Sequence, residues 1–230
     1  MKNWLSRLVF VFLAAFTLSE VSIANTTVNT GSSSKSWKFR VMLDDRPIGY
    51  HKVDVNKEQN RKSVHTQANF DVKILFIPVY SYDHETQERW VDNCLVDINS
   101  TTDDNGEDYY INSKQSEQKL TLETQDGMSS LEGCVRTFAY WDVDLLNSDR
   151  LLNTQTGEYE DVEITDMGTG VLSFDGNEVE ARQFRLVAEG MAIDLWYTKD
   201  MHWLALESVT ESGAVLRYLP EKDPALASGV

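Results

Sequence analysis

Short segments in which apolar and polar residues alternate make up most of this chain, and turn signals separate them. A two-residue period places successive side chains on opposite faces of a β-strand. The strongest turn signal is Asp103-Asp104-Asn105-Gly106, because a type I′ hairpin turn needs positive φ angles that Asn and Gly adopt at little cost. The pattern therefore predicts successive β-hairpins and an all-β chain.

We predict a strand wherever this alternation continues between two turn signals. The predicted strands are residues 37–43, 49–55, 62–74, 77–90, 94–102, 109–112, 119–124, 131–137, 161–165, 170–174, 179–188, 191–197, 203–210 and 214–219. Sequential hairpins without crossover helices favour an antiparallel meander. The fold class that follows is a single-domain antiparallel barrel or half-barrel, with a sandwich as the remaining alternative, and the sequence does not distinguish the closed form from the open one.

Residues 133–157, which we call the central segment, interrupt this pattern. The central segment holds Cys134 and an aromatic cluster of Phe138, Tyr140 and Trp141. Its residues 141–152 have an apolar spacing that suits a helix better than a strand. We expect the central segment to connect two β-meanders, to contain one short helical stretch near 141–152, and to plug the space between them.

The N-terminus has the three-part pattern of a secretory signal peptide. A basic start with Lys2 and Arg7 precedes an apolar run at residues 8–18, and cleavage is expected after Ala24. As a helix this run would extend about 16 Å, which is too short for a bilayer core of ~30 Å. We therefore expect residues 1–24 to be removed and the protein to be periplasmic or secreted, without a transmembrane segment after cleavage. An uncleaved N-terminal anchor is the alternative.

The rest of the chain is expected to form one β domain between two polar ends. Residues 25–36 are low in complexity and predict a flexible arm, residues 37–220 the β domain, and residues 221–230 a flexible tail. The formal net charge of −16 repels the phosphate backbone of nucleic acids, so nucleic-acid binding is disfavoured. This acidity serves solubility or, as the alternative, cation binding.

The two cysteines, Cys94 and Cys134, most simply form a disulfide in an exported protein. The bond would tie the first meander to the central segment, and on the chain-entropy model it would contribute roughly 4 kcal/mol of stability. Two separate buried thiols are the alternative. A zinc site is disfavoured because the spacing is not a zinc pattern and no His is close in sequence.

The strand over residues 80–90 carries the main candidate site. Alternation places aromatic and ionisable side chains on one face, and the opposite face is polar and solvent-facing. An inward mixture of this kind is typical of a small-molecule cavity, although an amphipathic barrel mouth is a simpler interpretation. The predicted ligand-binding residues are Tyr82, His84, Glu88 and Trp90 from this strand and Tyr140 and Trp141 from the central segment.

Metal and catalytic chemistry have weak support. His84 and Glu88 lie four residues apart on one strand, about 13 Å at ~3.3 Å per residue, so one ion cannot bind both. His51, His65 and His202 lie in ordinary strands or turns, where a solvent-facing or hydrogen-bonded His is the default. No nucleophile elbow or phosphate loop is present. We predict no metal, no cofactor and no catalytic residue.

Several motifs together resemble an uncharacterised family of exported bacterial β-rich proteins, a domain of unknown function. They are Trp37-x-Phe39-x-Val41, Ile48-Gly49-x-His51, Tyr82-x-His84, Glu88-x-Trp90, Asp104-Asn105-Gly106, Gly133-Cys134, Phe138-Ala139-Tyr140-Trp141, the run 151–157 and Leu195-Trp196-Tyr197. The family brings no assigned activity. In outline it is similar to periplasmic half-barrel carriers of lipids or lipoproteins, which is a likeness of fold.

Three functions follow as hypotheses. The first is an exported binding or carrier protein for an apolar, lipid-like ligand, with His84 or Glu88 orienting a polar head. The second is a non-enzymatic envelope assembly or scaffold protein whose acidic surface binds a protein partner. The third is a hydrolase that uses His84 and Glu88, and an enzyme is the least favoured class.

Overall fold

The computed structural model describes residues 31–74, 76–116, 119–174, 176–210 and 212–221. The signal peptide and most of the predicted tail lie outside these ranges. The strands are β1 (Ser32–Leu43), β2 (Arg46–Glu58), β3 (Arg61–Ile74), β4 (Ile77–Val91), β5 (Cys94–Asp104), β6 (Glu107–Ser116), β7 (Lys119–Thr124), β8 (Gly127–Glu132), β9 (Arg150–Leu152), β10 (Tyr159–Asp161), β11 (Glu163–Phe174), β12 (Asn177–Ala188), β13 (Met191–Tyr197), β14 (Trp203–Val209) and β15 (Val215–Pro220), and a 3₁₀ helix spans Val143–Asn147.

Thirteen of these strands form one antiparallel sheet in the order β11-β12-β13-β14-β15-β1-β2-β3-β4-β5-β6-β7-β8. The last strand of the chain, β15, pairs with the first, β1, so the two meanders join into one continuous sheet. Within the described ranges the two edge strands, β8 and β11, do not pair with each other. The all-β antiparallel prediction is confirmed, and the sheet is the open form of a barrel.

The central segment links the two edges of this sheet and packs against residues from both meanders. Its Val135, Leu145, Leu151 and Leu152 are buried in the same apolar cluster as Phe39 of β1 and strand residues across the sheet. The predicted short helical stretch is confirmed as the 3₁₀ helix, whose first turn is capped by the Asp142 carboxylate accepting from the Asp144 N–H. The connection of the two meanders is therefore also a packed part of the core.

The predicted helical stretch is too long at its C-terminal end. Residues 150–152 form strand β9 and pair with β10. The beginning and the end of the central segment also pair here. The Leu152 N–H donates to the Arg136 carbonyl at 2.7 Å, and Thr137 forms a parallel bridge with Leu152. This local pairing supplies the backbone hydrogen bonds that a longer helix would have supplied.

Three predicted boundaries are wrong. A strand is predicted over residues 131–137, but β8 ends at Glu132, and Gly133 follows it with a φ of 80°. Residues 32–36 of the predicted arm belong to β1 and pair with 54–58 of β2. The segments predicted over 161–165 and 170–174 are one strand, β11, with a register shift between Asp166 and Gly168.

One end of the sheet carries a row of hairpin turns, which we call the hairpin end. These turns lie at residues 44–45, 105–106, 189–190 and 212–214 and at the junction of β3 with β4. The predicted type I′ turn is among them, with φ of 55° at Asn105 and 90° at Gly106. In the described part of the chain, no helix has the length and apolar character needed to cross a membrane.

Candidate functional site

The even-numbered residues of β4 face the interior of the sheet, as the alternation predicts. His84, Thr86, Glu88 and Trp90 are buried, and the odd-numbered neighbours are partly or fully exposed. Thus β4 places two ionisable side chains on the concave face. Burying such groups costs free energy unless they find partners, so their surroundings decide what this face can do.

A cavity of about 720 Å³ lies between this face and the central segment. Its volume falls within the ~300–1,000 Å³ typical of small-molecule sites. Apolar and aromatic side chains form most of the wall, and no lysine or arginine belongs to the described lining. The apolar and aromatic lining residues are Leu43, Ile48, Val53, Ala68, Phe70, Val72, Tyr80, Tyr82, Phe138, Ala139, Tyr140, Trp141, Met191, Trp203, Leu216 and Tyr218.

The cavity reaches the hairpin end of the sheet. Its lining there includes Met191, which is 40% exposed, and Ser212, which is also exposed. At the other end the Cys94–Cys134 disulfide holds the central segment, whose Tyr140 and Trp141 form part of the wall. An apolar molecule could therefore enter from the hairpin end and reach the buried face of β4.

A small residue, Ala68, lies between two larger ones in the cavity wall. Ala68 of β3 lies opposite His51 of β2 on one side and opposite His84 of β4 on the other. Adjacent strands are about 4.8 Å apart, so the backbones that carry the two histidines are separated by about 10 Å. The methyl group of Ala68 leaves the gap between them open.

A polar network joins the central segment to β4 and β5 near the mouth of the cavity. The Tyr82 hydroxyl donates to the Gln155 side-chain carbonyl at 3.1 Å, and the Gln155 amide donates to Asp104 at 3.0 Å. Asp104 also accepts a 2.8 Å hydrogen bond from the Tyr80 hydroxyl. Burial and the neighbouring Asp104 raise the pKa of Tyr80, which keeps this hydroxyl a donor.

Both ring nitrogens of His84 have hydrogen-bond partners. Nδ1 lies 2.7 Å from the Thr102 hydroxyl, and Nε2 lies 2.8 Å from the Thr86 hydroxyl and 3.4 Å from that of Thr154. Burial lowers the pKa of His84 to about 4, and the nearby Asp83 opposes this shift. His84 is thus a neutral imidazole at neutral pH, held in place by threonines.

Glu88 is a buried carboxyl group deeper in the same wall. The indole N–H of Trp90 donates to Glu88 Oε2 at 2.9 Å. Burial raises the pKa of Glu88 to about 7, and hydrogen bonds from Trp90 and Thr137 partly oppose the shift. Near neutral pH the group is therefore divided between its neutral and charged forms.

The structure brings together five of the six predicted ligand-binding residues. Tyr82, His84, Glu88, Tyr140 and Trp141 all line the cavity. The sixth, Trp90, is 1% exposed and lies behind the wall, where it contacts Trp141 edge-to-face with 5.8 Å between ring centroids. Trp90 thus supports the site from behind.

His51 is the main site residue that the sequence prediction missed. It lines the cavity from β2, and neither of its buried ring nitrogens has a hydrogen-bond partner among the described residues. Burial, and secondarily the proximity of His84, lowers the pKa of His51 to about 3. The alternation over 49–55 contained the signal, because His51 shares a strand face with the buried Val53 and Val55.

The arrangement gives no support to hydrolysis by His84 and Glu88. His84 contacts threonines and Glu88 contacts Trp90, and no hydrogen bond joins the two in the described ranges. The same ranges contain no group of three or more His, Cys, Asp or Glu side chains that could hold a metal ion. What the wall offers chemically is apolar contact together with a few hydrogen-bonding groups, which include the carboxyl groups of Glu88 and Asp104 but no lysine or arginine among the described lining residues.

Comparison with protein families gives a match over residues 39–221 to the model described as DUF6134, a domain of unknown function. The chain belongs to the DUF6134 family. This agrees with the resemblance to an uncharacterised β-rich family. No curated protein matches this DUF6134 chain.

A solved structure shares the fold of the DUF6134 protein. It is the crystal structure of a beta-barrel-like protein of domain of unknown function DUF1849 from Brucella abortus. The TM-score is 0.57 at 10% sequence identity, and the match covers 81% of this chain and 95% of that chain. At this identity the similarity shows a barrel-like fold and carries no activity across.

Proposed function

We propose that this DUF6134 protein is an exported binding or carrier protein that holds an apolar, lipid-like ligand in its cavity. The observation that carries the proposal is a space of about 720 Å³ with a mostly apolar and aromatic wall and no lysine or arginine in its described lining. Burial of apolar ligand surface would drive binding, at roughly 25 cal/mol per Å² removed from water.

The N-terminal sequence supports the exported part of this proposal. A basic start, an apolar run and small residues up to Ala24 are typical of a secretory signal peptide. The disulfide between Cys94 and Cys134 is also typical of an oxidising compartment. A periplasmic or secreted location therefore accompanies the proposed carrier function.

The cavity can be tested by filling it. Ala68→Phe places a ring in the gap between His51 and His84, whereas Ala192→Phe makes the same change at an exposed position of β13 that is outside the lining. Binding would be measured by titrating each mature protein with a naphthylamine dye that fluoresces in apolar surroundings. We expect wild type and Ala192→Phe to bind the dye alike. Ala68→Phe should bind it at least about tenfold more weakly, because losing ~1.4 kcal/mol of apolar burial is enough to weaken binding tenfold.

Circular dichroism and thermal unfolding show which variants remain folded. If Ala68→Phe does not fold, Ala68→Leu makes the same test with a smaller side chain. Equal dye affinity in wild type and a folded Ala68 variant would overturn the cavity as the binding site. A wild-type protein that binds no apolar probe, and yields no extractable lipid when purified from its natural compartment without detergent, would overturn the carrier function and favour an assembly role with a protein partner.

A further inference from the structure

His51 lacks the hydrogen bonds that several other polar side chains around the cavity make. His84 is bonded to Thr102 and Thr86, Glu88 to Trp90, and Tyr82 to Gln155. The two ring nitrogens of His51 are buried in the wall and lack a partner in the described part of the chain. A buried polar group left unpaired costs roughly 1–3 kcal/mol, so an unpaired group in a cavity wall indicates where an occupant can supply a hydrogen bond.

Two aromatic rings pack against the ring of His51. Tyr218 contacts it edge-on with 5.2 Å between ring centroids at 89°, and Trp203 does so at 6.0 Å and 72°. On the neighbouring strand Ala68 is too short to cover it, and beyond Ala68 the ring of His84 is occupied by threonines. These contacts restrain the ring in the cavity wall, which is favourable for recognition because little side-chain freedom is lost on binding.

The chemistry of this position selects an uncharged partner. A neutral imidazole presents one N–H donor and one acceptor nitrogen. The described lining contains no lysine or arginine that could neutralise a phosphate or carboxylate, while it does contain the acidic side chains Glu88 and Asp104. An anionic head placed here would lose its hydration without gaining a counter-charge. A hydroxyl or carbonyl oxygen avoids that cost and can pair with the ring.

We propose that His51 is the group that recognises the polar end of the ligand, and that the ligand is an apolar molecule bearing an uncharged hydroxyl or carbonyl group, such as a long-chain alcohol. This rests on the proposed carrier function and makes it more specific. It also replaces His84 and Glu88 as the groups that orient the head, because their hydrogen bonds are satisfied within the wall.

Three chain-matched probes test the inference: dodecane, dodecanol and dodecanoate, each measured by displacement of the naphthylamine dye. The variants are His51→Phe, which keeps a ring without nitrogen, and His51→Gln, which restores a donor and an acceptor. His65→Phe is the control, because His65 lies on the outer side of β3 and bonds to Glu85. For wild type we expect dodecanol to bind more tightly than dodecane or dodecanoate.

In His51→Phe the affinity for dodecanol should fall about five- to tenfold, the equivalent of one net hydrogen bond, while the affinity for dodecane stays within about twofold. His51→Gln should recover part of the loss, and His65→Phe should behave as wild type. Equal losses for all three probes in His51→Phe, or tighter binding of dodecanoate than dodecanol by wild type, would overturn the inference and leave the apolar cavity standing. Failure of wild type to bind any probe would instead overturn the carrier function itself.

Discussion

The hydroxyl of Tyr197 donates a 2.9 Å hydrogen bond to the backbone carbonyl of Tyr140. Tyr197 is fully buried on β13, in the second meander, whereas Tyr140 belongs to the central segment and lines the cavity. Burial raises the pKa of Tyr197, with the nearby Asp142 adding to the shift, so the hydroxyl remains a donor. One hydrogen bond thus fixes the backbone of the central segment where it forms the cavity wall.

Tyr197→Phe should lower the free energy of unfolding by about 1–3 kcal/mol, because the Tyr140 carbonyl would lose its partner in a largely buried position. Urea unfolding of the mature protein measures the change. Tyr50→Phe, at a side chain that is 39% exposed, is the matched control and should change stability by less than about 0.5 kcal/mol. Equal effects of the two substitutions would show that the Tyr197 hydroxyl does not hold the central segment.

A buried ion pair makes a second attachment of the central segment. Lys62 of β3 lies 2.8 Å from the Asp142 carboxylate, and their side chains are only 11% and 9% exposed. Lys62→Met should destabilise the fold by about 3 kcal/mol or more, because it leaves Asp142 buried without its counter-charge. Lys38→Met breaks the exposed pair with Glu221 and should cost less than about 1 kcal/mol.

Thermal and urea unfolding of these two variants provide the comparison. The Asp142 carboxylate also caps the 3₁₀ helix. Without the Lys62 charge beside it, the helix and the central segment that covers the cavity should become less stable. Hydrogen exchange of residues 143–147 should therefore quicken in Lys62→Met and stay unchanged in Lys38→Met. A Lys62 variant as stable as the Lys38 variant would contradict a structural role for the buried pair.

The sequence was most informative where the cause is local. The inward face of β4 followed from two-residue alternation, because the period of a strand depends only on its own backbone. The turn at Asn105-Gly106 followed from the φ preferences of two residues. The pairing of Cys94 with Cys134 followed from there being two cysteines in a chain expected to be exported, and the structure confirms it.

What escaped prediction depends on contacts between distant residues. The open form of the sheet is set by pairing of β15 with β1 and by the edges β8 and β11, whose positions no local pattern encodes. The link from Gln155 to Asp104 spans 51 residues of sequence. The early end of β8 also depends on a contact between distant residues. The Val135 carbonyl accepts from the Leu95 N–H on β5, so this residue does not continue the ladder with β7.

His51 is an intermediate case. Its place on the inward face of β2 was readable from the buried Val53 and Val55 of the same strand. Its lack of a partner was not readable, because that depends on Ala68, Trp203 and Tyr218, which arrive from three other strands. Strand patterns can thus nominate inward polar residues, and only the assembled wall shows which of them is unsatisfied.

The disulfide should stabilise the attachment of the central segment to β5. Cys94 and Cys134 are separated by 40 residues, so removal of the bond in a Cys94→Ala/Cys134→Ala protein should cost roughly 4 kcal/mol on the chain-entropy model. Urea unfolding of wild type with and without reductant should show a loss of similar size, whereas the double variant should not respond to reductant. Alkylation of both cysteines in unreduced wild type would contradict the bond.

His51 should make the fold sensitive to acid. Its pKa falls from 6.5 to about 3 on folding, so below pH 6.5 the unfolded chain takes up a proton that the folded protein does not. The stability that depends on neutral His51 is present above pH 6.5 and falls by about 1.4 kcal/mol per pH unit on acidification. His51→Phe should therefore lose less stability than wild type as the pH falls towards about 4. Parallel urea-stability curves for the two proteins would contradict this.

Glu88 should act in the opposite direction. Its pKa rises from 4.5 to about 7 on folding, so the folded protein keeps a proton that the unfolded chain has released over that range. Its contribution to stability is fully present below pH 4.5 and is lost as the pH rises to about 7, at about 1.4 kcal/mol per unit and about 3 kcal/mol in total. Glu88→Gln, which keeps an acceptor for the Trp90 indole, should gain that much relative to wild type across the same window.

Urea unfolding of wild type and Glu88→Gln at a series of pH values measures this difference, with Glu180→Gln as the control for loss of one exposed carboxylate. Because the His51 and Glu88 contributions have opposite signs between pH 4.5 and pH 6.5, they partly cancel in wild type. The difference in unfolding free energy from wild type should therefore change more steeply with pH for each single variant than for the His51→Phe/Glu88→Gln protein. The stability difference between Glu88→Gln and wild type could instead stay constant or fall as the pH rises. That result would mean that Glu88 is charged in the folded protein at neutral pH, and that the cavity surface is more polar than a wall with neutral Glu88.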